Sequence, residues 1–88
     1  MTPIRLILYI RSLCESTTLT IAQIKARIAD VKTSALSSPD GPERGHDIAY
    51  YCDLVTAAIV NMEAGVPAWS SAEIRSQLSG RLTTLIPL

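Results

Sequence analysis

The chain has 88 residues, eight basic against eight acidic, 48% hydrophobic and 18% charged, with a mean hydropathy of +0.26. One small domain spanning 1–88 is the expectation at this length, and the hydrophobic content excludes a disordered tail. A net charge of zero gives no positive field to draw the chain onto phosphates, so nucleic acid is not an expected partner.

Ile4 to Ile10 make an apolar run, but Arg5 and Arg11 interrupt and bound it and no small-residue cleavage site follows. No stretch approaches the roughly 20 apolar residues of a membrane span. The chain therefore reads as cytoplasmic, with no membrane partner. Cys14 and Cys52 match no metal-ligand spacing, and two buried thiols are favoured over a disulfide in that compartment.

Four helices are predicted, at about 3–15, 21–36, 47–64 and 71–85. Thr2-Pro3 opens the first with a capping hydroxyl and a proline whose missing N–H is harmless in a first turn. Leu6, Ile10, Leu13 and Cys14 then keep helical spacing. Thr20 and Gln23 form a capping box, with Leu19 and Ile24 as its hydrophobic staple, ahead of the stripe Ile21, Ile24, Ile28, Val31 and Ala35. The segment 37–46 holds two prolines and two glycines and reads as a loop, with Pro42 able to begin a helical turn. The third helix carries Ile48, Tyr51, Cys52, Val55, Ile59 and Met62 on one stripe; Gly65 supplies a left-handed cap, Val66 packs back, and Pro67 blocks continuation. Ser70 and Glu73 repeat the capping box, Trp69 and Ile74 the staple, and Ile74, Leu78, Leu82 and Leu85 the stripe. The expected architecture is an all-α four-helix bundle of two helical hairpins, 1–36 and 47–88, joined by the loop 37–46.

The halves align without gaps at an offset of 50: Leu19 on Trp69, Thr20 on Ser70, Ile24 on Ile74 and Ile28 on Leu78, with Ile4 on Leu54 and Ile10 on Val60 upstream. Duplication is one explanation; the restriction that capping places on residue choice is the other.

The first and third helices carry more apolar residues than one stripe needs. Tyr50, Leu54, Ala57, Ala58 and Val60 lie off the main stripe of the third. A helix apolar nearly all round is central in its fold or covered by another chain. The candidate interface is Tyr9, Tyr50, Leu54, Ala57 and Ala58, and the expected partners are a second copy and a protein of unknown identity. Tyr50 is the sharpest candidate, because tyrosine buries a rigid area while keeping a polar tip; the alternative is that it lies along its own helix.

Catalytic chemistry is missing from the sequence. His46 is the single histidine, no G-x-S-x-G is present, and the glycines near residue 41 lack a G-K-[ST] ending. No cofactor and no metal are expected, and the chain reads as no enzyme. Lys25, Arg27 and Lys32 are the candidate phosphate contacts should residues 21–36 contain a helix-turn-helix, the feature on which the alternative of a small DNA-binding transcriptional regulator rests. In length, helical content and the pair Tyr50-Tyr51 after a Gly/Pro loop, the chain resembles the immunity proteins of nuclease colicins. That resemblance implies a toxin-binding role for the tyrosines and an antitoxin or immunity function. The chain departs from that family in lacking an acidic surface and in placing the tyrosines on a long helix, and it is not assigned to it. The leading expectation is a non-enzymatic interaction protein, a small inhibitor or anti-activator of the kind phages and mobile elements carry in bacteria, forming a homodimer.

Overall fold

The computed structural model describes residues 2–37, 42–65 and 67–87, with the backbone alone for 42–46. The four helices are α1 (Pro3–Glu15), α2 (Ile21–Leu36), α3 (Pro42–Glu63) and α4 (Ser71–Leu85). They pack antiparallel as a four-helix bundle. The most extensive contact joins the two halves of the chain, α2 on α3; α4 packs on both α1 and α3, and α1 barely touches α2. That pattern sets α1 and α3 diagonally across the bundle.

Three of the helix starts follow from their caps. The hydroxyl of Thr2 accepts from the Arg5 N–H at 3.3 Å. At α2 the box is reciprocal: Gln23 N–H donates to Thr20 Oγ1 at 3.1 Å, and Thr20 N–H donates to Gln23 Oε1 at 2.8 Å. At α4 only half of the expected box forms. Ser70 Oγ accepts from the Glu73 N–H at 3.2 Å, but the Glu73 carboxylate lies 3.1 Å from the Ser70 hydroxyl instead of meeting the Ser70 N–H. A serine hydroxyl can donate while it accepts, and here it takes the carboxylate that would have reached the backbone.

The third helix corrects the expected boundary near residue 47. It starts at Pro42 and is 22 residues long, because a proline at the first helical position gives up no hydrogen bond and presets φ. The connection from α2 shortens accordingly. Gly65 also departs from expectation: its φ is not in the left-handed region. The helix ends instead with the Ala64 N–H on the Val60 carbonyl and the Gly65 N–H on the Met62 carbonyl, a last turn tightened to three-residue spacing in place of a left-handed cap. Val66, the loop residues 38–41 and the side chain of His46 lie outside the described residues.

The core is built from all four helices. Leu6, Ile10, Ile24, Ile28, Val55, Ile59, Leu78, Leu82 and Ile86 are each under 2% exposed. The predicted stripes supply nearly all of it, with Val31, Ala35, Tyr51 and Leu85 half-buried at its margin. Leu19 and Trp69 pack at the same margin, as staple positions should. No polar side chain is buried among the described residues.

The alignment at an offset of 50 is matched by burial only in part of α2 and α4. At an offset of 50, buried Ile24 and Ile28 fall on buried Ile74 and Leu78 and half-buried Ala35 on half-buried Leu85, but Leu36, 53% exposed, falls on Ile86 at 0%, and half-buried Lys32 falls on Leu82 at 0%. The same offset fails for α1 and α3, since Ile10 is 0% exposed and Val60 48%. Burial along α1 matches α3 at an offset of 42 instead. Leu6, Ile7, Ile10 and Leu13 then fall on buried Ile48, Ala49, Cys52 and Val55, half-buried Tyr9 falls on half-buried Tyr51, and exposed Leu8 falls on exposed Tyr50. The difference of eight residues is the extra length at the C-terminal end of α3 and in the turn that follows it.

Candidate functional site

The outer face of α3 carries apolar residues that the bundle leaves uncovered. Tyr50 is 60% exposed and Val60 48%; Ala57 is exposed and Leu54 half-buried between them. The Tyr50 ring leans toward Tyr51, with centroids 5.9 Å apart and planes tilted by 52°. One ring is therefore held by the core and the other rests on it with its outer side in solvent. Asp53, Asn61 and Ala64 complete this face.

Not every residue of the sequence-based set belongs to it. Tyr50, Leu54 and Ala57 come together there. Ala58 and Tyr9 are half-buried against the core, so they are margin residues of the bundle. Sequence reasoning passed over Ile4 and Leu8, which stand 53% and 57% exposed on α1. Their signal was legible, because residues four apart share a helix face and neither lies on the stripe of Leu6 and Ile10. The diagonal placement of α1 and α3 sends these two apolar faces to opposite sides of the molecule.

The three candidate phosphate contacts lie on one continuous helix, α2, with no turn inside it. Two of them are already paired: Lys25 Nζ is 2.6 Å from Glu63 Oε1, and Lys32 Nζ is 2.8 Å from Asp53 Oδ1. These ion pairs run along the α2–α3 seam. Arg27 is exposed on the outer side of α2.

A shallow groove between α1 and α4 is lined by Arg11, Cys14, Glu15, Arg75, Ser76 and Gly80, among others. The Arg75 guanidinium donates to the Ser16 carbonyl across it, which ties α4 to the turn after α1. Cys14 and Cys52 are both free and buried. Burial pushes the Cys14 thiol above its ordinary range, with Arg75 opposing that shift. Burial, with Asp53 adding to it, pushes Cys52 up to about 11. Both are therefore protonated and poorly nucleophilic at neutral pH. No helix among the described residues is long and apolar enough to cross a membrane. Comparison with protein-family models, with curated proteins and with solved structures found no match.

Proposed function

We propose that this chain is a non-enzymatic interaction protein that forms a homodimer and acts by occupying a surface of a partner protein, as a small inhibitor or anti-activator does. One observation carries the reading. The core is complete without the outer residues of α3, yet Tyr50 and Val60 stand exposed there with exposed Ala57 and half-buried Leu54 between them. Scattered exposed apolar residues are ordinary on a protein surface; a run of them three and four apart on one helix, with a tyrosine at its end, supports a binding surface. The apolar pair Ile4 and Leu8 on the opposite side offers a second face, so one can serve self-association and the other the partner.

The DNA-binding alternative finds less support. Its readout helix would need free basic side chains near a helix N-terminus, and Lys25 and Lys32 are engaged with carboxylates.

The reading is tested by affinity capture from an extract of the native host, with wild-type protein and with Leu8→Glu and Tyr50→Glu as baits. A protein retained by the wild type and lost with either variant supports it. The same retained set on all three baits counts against it.

A further inference from the structure

We infer that the outer face of α3 is the contact between two copies of this chain, laid antiparallel about a two-fold axis at Ala57; this rests on the homodimer in the reading above. At 100° per residue, Tyr50, Asp53, Leu54, Val60, Asn61 and Ala64 all lie within about 60° of Ala57 on the helix. None of these seven side chains is buried.

A two-fold contact must be complementary to itself. An axis perpendicular to α3 at Ala57 brings to one level each residue and the second copy's residue equally far on the other side of 57. Tyr50 then meets the level of Ala64, a large side chain against a small one. Leu54 meets the level of Val60, aliphatic against aliphatic. Asp53 meets the level of Asn61, a carboxylate acceptor against an amide donor. Each match occurs twice. Ala57 itself sits at the crossing point, where its small side chain lets the two helices approach closely.

Asp53 remains available for this. One of its oxygens is on Lys32, and its side chain is still 59% exposed. The face runs about 21 Å along the helix, from Tyr50 to Ala64 at 1.5 Å per residue. A contact of one helix face lies at the small end of specific interfaces. The same arrangement leaves Ile4 and Leu8, on the diagonal helix, uncovered.

Oxidation of an Ala57→Cys variant tests the axis. A two-fold axis at that residue places the introduced thiol against its own copy, within disulfide reach, and a covalent dimer is expected. Wild-type protein and an Ala22→Cys variant, altered on the exposed side of α2, are expected to stay uncrosslinked. Sedimentation equilibrium supplies the second readout. Asn61→Asp sets like charges at one level and is expected to weaken the dimer by on the order of tenfold. Adding Asp53→Asn exchanges the two roles and is expected to restore most of that affinity. A wild-type dimer in which Ala57→Cys does not crosslink and Asn61→Asp has no effect overturns the α3 axis while leaving the homodimer standing. Monomeric wild-type protein at every concentration overturns both.

Discussion

Lys32 Nζ lies 2.8 Å from Asp53 Oδ1, an ion pair that joins α2 to α3. With Lys25 and Glu63 further along the same seam, it accounts for two of the three residues, Lys25, Arg27 and Lys32, that the sequence offered as phosphate contacts. Both pairs are substantially exposed, at 39% and 59% for Lys32 and Asp53 and 30% and 38% for Lys25 and Glu63. Their worth is therefore in orientation more than in energy. A double-mutant cycle with Lys32→Ala and Asp53→Ala is expected to give a coupling below about 1 kcal/mol, falling further at high salt. Urea denaturation at two ionic strengths measures it.

Ile10 and Val60 occupy matching positions in the 50-residue alignment but opposite environments in the bundle. Ile10→Ala is expected to cost about 2–5 kcal/mol of stability, the range for emptying a sealed core site. Val60→Ala is expected to stay within about 0.5 kcal/mol. Equal losses at the two positions would restore the offset of 50 for α1 and α3. Chemical denaturation of both variants decides it.

Gly80 lies inside α4, and a Cβ added there meets nothing within 4 Å. Gly80→Ala is expected to stabilise the protein by about 0.5–1 kcal/mol, through helix propensity and a less flexible unfolded chain. A higher midpoint of thermal unfolding confirms it. A lower one would show that the groove between α1 and α4 is more tightly filled than its geometry indicates.

Cys52 sets a pH limit on stability. Its thiol titrates at 9.0 when unperturbed and at about 11 in the fold, so the folded chain holds this proton where the unfolded chain releases it. Stability from that group is complete below pH 9, declines as pH rises, and is gone above about 11. Wild-type protein is expected to lose stability across this window more steeply than a Cys52→Ala variant, by denaturation at stepped pH. At pH 8 the native thiols are expected to react with a disulfide reagent far more slowly than in urea.

The bundle was legible because each of its devices is local. Thr20 with Gln23, Ser70, and Pro3 announce helix starts, and apolar residues three and four apart name the core side of each helix. The start of α3 was less legible, since Pro42 can either end a loop or open a helix, and the glycine that follows at 45 disguises the helical reading. Gly65 misled for a related reason: glycine permits a left-handed cap without requiring one. The apolar surplus on α3 was visible in the sequence at Tyr50, Leu54, Ala57 and Val60, but that Ala58 packs against the core instead was not. Whether Tyr9 or Tyr50 faces outward depends on where α4 packs, and that is a tertiary fact. The burial match of α1 to α3 likewise appears only in the fold, because Leu6 and Ile48, or Leu13 and Val55, are too ordinary a pair of core residues to fix an offset.

The proposed use of the uncovered face of α3 is association. Its most direct test is the mass of the wild-type protein by light scattering across a dilution series, beside Tyr50→Glu. Wild-type protein is expected to approach twice its 9.5 kDa chain mass at the high end of the series and to fall toward the monomer on dilution. Tyr50→Glu should remain folded by circular dichroism and stay at 9.5 kDa throughout. A wild-type mass of 9.5 kDa at every concentration, or a dimer that Tyr50→Glu leaves intact, would contradict the claim.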